Sequence, residues 1–381
     1  MNTPRPAAIE GRILTPQGFV EGRLTIEGAQ LGVVEGRPVA TEDVLRTSGA
    51  IVLPGFVDTH VHGGDGFDIM QGGEAAQRVA RCHARHGSTS LLATTMTAPL
   101  REISAALEAL APACRDRPRQ GARVLGVHLE GPYINHRRLG AQPDFVRALD
   151  LAEVAALHAI APVRLITLAP EIAGHLEQVG PLTQAGIVVQ IGHTSGSYED
   201  GVAALEQGAL GFTHLFNAMT GLHHREPGMV GAALAHARYA ELIPDLLHVH
   251  PGAIRAALRA IPCLFCVTDS TAATGMPDGE YALGAQRVHK CLGGVRLADG
   301  TLAGSVLTMD QALRNLVQQI GLALDDAARR VSTYPADYLG ATDIGRLVPG
   351  ASADIVVMDR ELKLQRVIVQ GEEIELDEDA R

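Results

Sequence analysis

The sequence predicts a (β/α)8 barrel flanked by a small β-sandwich assembled from both termini. Three observations carry this reading. From residue 51 onward, short apolar runs alternate with amphipathic, helix-like stretches. Those runs are rich in Val, Ile and Leu without clean alternation, as strands buried on both faces should be. The two ends of the chain read differently, as short strands separated by Gly-rich turns.

In chain order, the N-terminal pieces are GRILTP, GFVEGRLTIEG and AQLGVVEG, within residues 7–50. The barrel strands are expected at 51–58, 89–96, 124–130, 164–169, 187–192, 210–216, 242–249 and 264–269. Between them lie helices such as Glu74 to His86, stopped by Gly87, and Ala253 to Ile261, stopped by Pro262. A strand followed by a helix, repeated about eight times, is the pattern of a closed parallel barrel. Residues 344–375 return to short strands, in IGRLVPGASADIVVMD and LQRVIVQGEEIEL. Neither terminal piece alone has enough strands to bury a core, but together they do. The expected division is therefore 1–50 and 336–381 as the sandwich, with 51–335 as the barrel.

Composition narrows the function. The 381 residues carry a net charge of −11, which argues against nucleic acid and anionic membrane surfaces as partners. Trp is absent and aromatics are scarce, so no stacked platform for bases or sugars is available. The opening MNTPRPAAIEGR has no apolar leader core, and no run approaches the ~18 apolar residues of a spanning helix. The expected compartment is the cytoplasm. Five scattered cysteines do not make a disulfide framework. Cys263 and Cys266 lie in an apolar run and are read as packing residues.

In a barrel of this kind chemistry gathers at the C-terminal ends of the strands. The first strand runs into VLPGFVDTHVHGG, where His60 and His62, two apart, project to one face. The third ends in His128-Leu129-Glu130, the fifth in Gly192-His193-Thr194 and the sixth in Thr213-His214. The seventh ends in His248-Val249-His250 and the eighth in Thr268-Asp269. Each alone reads as a solvated strand end, but their joint placement predicts a divalent metal site. Imidazole with carboxylate suits zinc, with iron, manganese and cobalt as alternatives. Histidines on helix-like stretches (His83, His86, His158, His175 and His236) are read as surface residues.

PGFVDTHVHGG, GVHLEGPYIN, IGHTSG, THLFNAM, HHREPG, LLHVH, VTDSTAATG and LADGTLAGSVLTMDQALRN resemble the N-acetylglucosamine-6-phosphate deacetylases of the amidohydrolase superfamily. The resemblance spans about residues 10 to 370. It implies that Glu130, His193 and His214 hold the principal metal, with His60, His62 and Asp269 making room for a second, so one or two ions per subunit. No strand-end lysine is available to bridge two ions, and Glu130 would take that place. Asp269 would shuttle the proton from the attacking water to the leaving amine. The resemblance further implies that Arg225 binds the substrate's phosphate, across the interface of a homodimer. Asn217, the backbone at Ala218 and His248 would contact the sugar or phosphate. His128 is read as supporting Glu130. The implied substrate is N-acetyl-D-glucosamine 6-phosphate, with another N-acyl amino sugar such as N-acetylgalactosamine 6-phosphate as the alternative. One position departs from the pattern: where the family has a carbonyl-polarising histidine after Gly-Ala, this chain has Gln142. Its amide is read as the replacement donor to the acetamide oxygen.

Overall fold

The computed structural model describes residues 6–376. Its centre is parallel β-structure. Strands β1 (Phe56–Val61), β2 (Ser88–Thr94), β3 (Arg123–Glu130), β4 (Val163–Leu168), β5 (Val188–Ile191) and β6 (Gly211–Phe212) form one sheet in that order. Strands β7 (Tyr239–Leu242) and β8 (Cys263–Cys266) form a parallel pair. Beyond the strand ends, Leu215 N donates to Glu241 O at 2.9 Å, and Asp269 N donates to His60 O at 2.9 Å. The curled sheet and the pair thus meet on both sides, and their C-terminal ends converge.

Several strands are shorter or shifted relative to the sequence reading. The run over 51–58 divides at Gly55. Its first part, Ile51–Pro54, belongs to the terminal sheet, and only the second joins β2. Gly55 allows the crossing because a Cβ there would lie 2.2 Å from Thr89 Oγ1. The seventh strand is observed at Tyr239–Leu242 rather than 242–249. Pro244 cannot continue the ladder, and Asp245 Oδ1 accepts from Leu247 N (2.9 Å) and His248 N (2.8 Å), turning the apolar run into a loop. His248 is therefore on that loop, and His250 caps the helix Pro251–Ala260. The sixth strand stops early because His214, Phe216 and Ala218 all adopt positive φ.

The terminal pieces meet in one seven-stranded sheet, ordered 372–374, 364–369, 355–358, 51–54, 8–15, 18–27 and 30–39. Its pairings are antiparallel except that between 8–15 and 51–54. Successive side chains serve two cores, as strand geometry requires. Val52, Ile355 and Ile368 pack with Ile13 and Leu24, whereas Leu53, Val356 and Val367 face the parallel unit.

A three-stranded antiparallel sheet over 279–296, not expected from the sequence, follows the eighth strand and borders the strand ends. Two helix histidines read as surface residues are buried: His83 lies 3.0 Å from both Gly63 O and Ser270 Oγ, and His175 Nε2 accepts from Leu149 N at 2.9 Å. His158 and His236 are exposed as expected. All five cysteines are free, with Cys82 and Cys266 buried. Among the described residues, no helix is long and apolar enough to cross a membrane.

Candidate active site

The strand ends bring six side chains together. Glu130, closing β3, faces two groups with its two oxygens. Oε1 lies 3.1 Å from His193 Nε2 and 3.3 Å from His214 Nε2. Oε2 lies 3.1 Å from His62 Nε2 and 3.5 Å from His60 Nε2. Asp269 Oδ1 is 3.4 Å from His60 Nε2 and 3.3 Å from His62 Nε2. All six are buried, and two triads result: Glu130, His193 and His214, and His60, His62 and Asp269. The β-strand spacing of His60 and His62 does what the sequence suggested, placing their Nε2 atoms 3.2 Å apart. His193, His214 and Asp269 have φ of 48°, 28° and 50°. Such left-handed backbone is unfavourable for residues with a Cβ, and strain of this kind concentrates where function requires a side chain re-aimed.

The chemistry of this donor set fits a metal. His193 Nδ1 lies 2.7 Å from Arg138 O, an acceptor only, so Nδ1 carries the proton. Nε2 of the same ring then faces Glu130 Oε1 at 3.1 Å and His214 Nε2 at 3.0 Å. His60 repeats the pattern, with Nδ1 3.1 Å from Glu241 Oε2 and Nε2 turned toward Glu130 and Asp269. Lone pairs converging on carboxylates repel unless cations lie among them. Burial opposes charge on Glu130 and Asp269, but the imidazoles outweigh it and hold both carboxyls below their ordinary range. Burial likewise works against protonated His60 and His62, but the carboxylates raise both, His62 to about 9. A bound metal would displace those protons.

Glu241 was not anticipated. It is fully buried in β7, accepts from Thr59 Oγ1 at 2.9 Å, and orients His60 through Nδ1. Its only sequence signal was an acid inside an apolar run, which the misplaced seventh strand left out. His128 does not bond Glu130. Its Nε2 is 2.8 Å from Thr167 Oγ1, and its ring packs edge-on against His60, centroids 4.6 Å apart. Gln142 is buried and doubly anchored. Its Oε1 accepts from Thr97 N at 2.7 Å and its Nε2 donates to Glu130 Oε2 at 2.6 Å.

A cavity of about 340 Å³ opens above the triads. Gln142, Asn217, Ala218 and His248 line it, as the sequence reading placed them. Asn217 Nδ2 donates to His214 O at 3.1 Å, and His248 Nδ1 is held by Asp245 Oδ2 at 2.6 Å. Arg225 is not brought there. It is exposed, 2.9 Å from His224 Nε2, and does not line the cavity. A larger hollow of about 910 Å³ borders the terminal sheet and contains none of these side chains.

The amidohydrolase family model matches residues 51–374. The chain is 40% identical over 369 residues to the N-acetylgalactosamine-6-phosphate deacetylase of Escherichia coli O157:H7, covering 95% of this chain and 97% of that protein. It is 38% identical over 336 residues to the N-acetylglucosamine-6-phosphate deacetylase of Lysinibacillus sphaericus, with 86% and 87% covered. A mutant Mycobacterium smegmatis N-acetyl-D-glucosamine-6-phosphate deacetylase, solved in complex with N-acetyl-D-glucosamine-6-phosphate, superposes with a TM-score of 0.87 at 35% identity. That match covers 95% of this chain and 97% of the other. The chain belongs to the amidohydrolase family, in the group that contains these deacetylases.

Proposed function

We propose that this protein is a metal-dependent deacetylase that hydrolyses N-acetyl-D-glucosamine 6-phosphate to D-glucosamine 6-phosphate and acetate. The observation that carries the reading is the convergence of Glu130, His193, His214, His62 and Asp269 at the floor of one cavity, with His60 buried directly against them. The relatives' shared chemistry supplies the substrate class. The parallel strands from Phe56 onward are read as a closed eight-stranded barrel, with the seven-stranded terminal sheet, which includes Ile51–Pro54, as the domain beside it.

Glu130, His193 and His214 would hold the principal ion, and His60, His62 and Asp269 a second, with zinc best suited to these donors. A divalent ion held there would supply the acidification of water that yields a hydroxide nucleophile near neutral pH. Asp269, whose Oδ1 lies beside His60 and His62 at the cavity, would accept the proton of the attacking water. It would return that proton to the nitrogen as the C–N bond breaks, the new C–O bond staying with acetate. Gln142 Nε2 has two hydrogens. One is committed to Glu130, and the second is free to donate to the acetamide oxygen. Asn217, Ala218 and His248 would seat the sugar, and Arg225 would reach the phosphate from a second copy in a homodimer.

A second reading, N-acetylgalactosamine 6-phosphate as substrate, is favoured by the 40% identity to the E. coli enzyme of that name. Acetate release from both 6-phosphates and from their unphosphorylated sugars, with bound metal measured alongside, tests the two readings. Turnover of neither 6-phosphate by metal-loaded protein would overturn both.

A further inference from the structure

We infer that this chain carries its own anion-binding rim, Arg137 and Arg138, which grips the phosphate end of the substrate from within the same subunit that holds the metal. The inference rests on the proposed phosphorylated amino sugar and adds a recognition element to it.

The cavity is polarised. Its floor holds the carboxylates Glu130 and Asp269, and its rim holds two adjacent arginines from the turn that follows β3. That turn is fixed to the site. Asn135 Oδ1 accepts from Arg137 N at 2.9 Å, and Asn135 Nδ2 donates to Glu171 Oε1 at 2.8 Å. The Arg138 carbonyl receives the His193 Nδ1 proton, so this backbone is bound to a ligand-bearing side chain. Arg138 Nε reaches Ser195 Oγ at 3.3 Å, and the neighbouring Thr194 N donates to Ala218 O at 3.0 Å. The Arg138 guanidinium therefore stands on the side of the cavity lined by Asn217 and Ala218.

Among the described residues, neither arginine is neutralised by an acid. Several arginines elsewhere are paired, as Arg147 is with Glu153 and Arg366 with Glu373. Among the described residues no ion pair joins Arg137 or Arg138 to a carboxylate, and Glu171, the acid bound to the same turn, accepts from Asn135, Thr194 and Ser195 instead. In a chain of net charge −11, two adjacent unpaired guanidinium groups facing one cavity create a local positive field. Arginine's planar fork matches phosphate oxygens in paired, charge-assisted hydrogen bonds. The acetamide and the 6-phosphate lie at opposite ends of the sugar. A substrate with its acetamide over the triads therefore directs its phosphate toward the rim.

The test is steady-state kinetics of the metal-loaded enzyme and its Arg137→Ala, Arg138→Ala and double variants, on N-acetylglucosamine 6-phosphate and on N-acetylglucosamine. The expected result is a loss of about ten- to a hundredfold in kcat/KM on the phosphorylated sugar, mostly in KM. The unphosphorylated sugar should change less than threefold, bound metal should stay at the wild-type level, and Arg138→Lys should recover part of the loss. Because His193 is held by the Arg138 backbone, the alanine variants leave that bond in place. Equal losses on both sugars, or none on either, would overturn the rim. Failure of the wild-type enzyme to turn over any 6-phosphate would instead overturn the substrate reading. Equilibrium binding of glucosamine 6-phosphate to metal-loaded protein still decides the rim in that case: weakening by the double variant supports it, and unchanged binding refutes it.

Discussion

Gln142 shows both how far single residues can be read and where the reading stops. Its departure from the family pattern was visible in Gly140-Ala141-Gln142, and its burial at the cavity floor agrees with a part in the chemistry. Its bond to Glu130 was not legible, because nothing in the local sequence says which oxygen twelve residues away it will meet. Gln142→Ala should lower kcat by about 100-fold through loss of the carbonyl donor. It should also weaken metal binding, since Glu130 loses an orienting partner. Kinetics paired with a metal-chelator competition separates the two effects, and kcat within threefold of wild type would place the donor elsewhere. Glu241 lay beyond sequence reasoning for a related cause, since its partner His60 is 181 positions away. Glu241→Gln keeps the shape but removes the charge that fixes the His60 tautomer. It should cost about 10–100-fold in affinity at the His60, His62 and Asp269 triad and leave the Glu130 triad filled. Metal titration followed by calorimetry reads the two events separately.

At the scale of elements, the strands with uninterrupted Val, Ile and Leu runs were legible because burial on both faces leaves a compositional mark. The seventh failed because Leu246, Leu247 and Val249 imitate a strand while Pro244 and Asp245 break it. The sheet over 279–296 carries mixed polar residues and exposed turns, so it has no such mark. Helix Ala75–Ala84 hides a different feature. His83 points inward, its Nε2 proton donated to Gly63 O, and burial lowers its pKa from 6.5 to about 4. Between those values the unfolded chain binds a proton that the folded chain refuses. His83 therefore contributes no penalty above pH 6.5 and destabilises the fold progressively as pH falls toward 4. At about 1.4 kcal/mol per pH unit the effect reaches roughly 3 kcal/mol. Urea unfolding at pH 7 and pH 4.5 should show a smaller loss of stability in His83→Gln than in the parent. An identical pH dependence in both would mean that His83 is protonated as easily folded as unfolded.

At the scale of the whole molecule, the chain folds its two ends into one sheet around Ile51–Pro54, then passes through Gly55 into the parallel strands. That the termini would combine was legible, because neither could bury a core alone. That their seven strands would share one hydrogen-bonded sheet, with Ile51–Pro54 at its centre, was not. Register between segments more than 300 residues apart leaves no local trace. The proposed metal-dependent deacetylase centre is also a property of the whole, since its six side chains come from five different strand ends. Glu130 touches both triads, so the most direct measurement is metal per chain together with acetate release from the two candidate 6-phosphates, for wild type and Glu130→Gln. Loss of the principal ion and of at least about a thousandfold in turnover together is the expected result. Full metal content and undiminished acetate release in Glu130→Gln would contradict it.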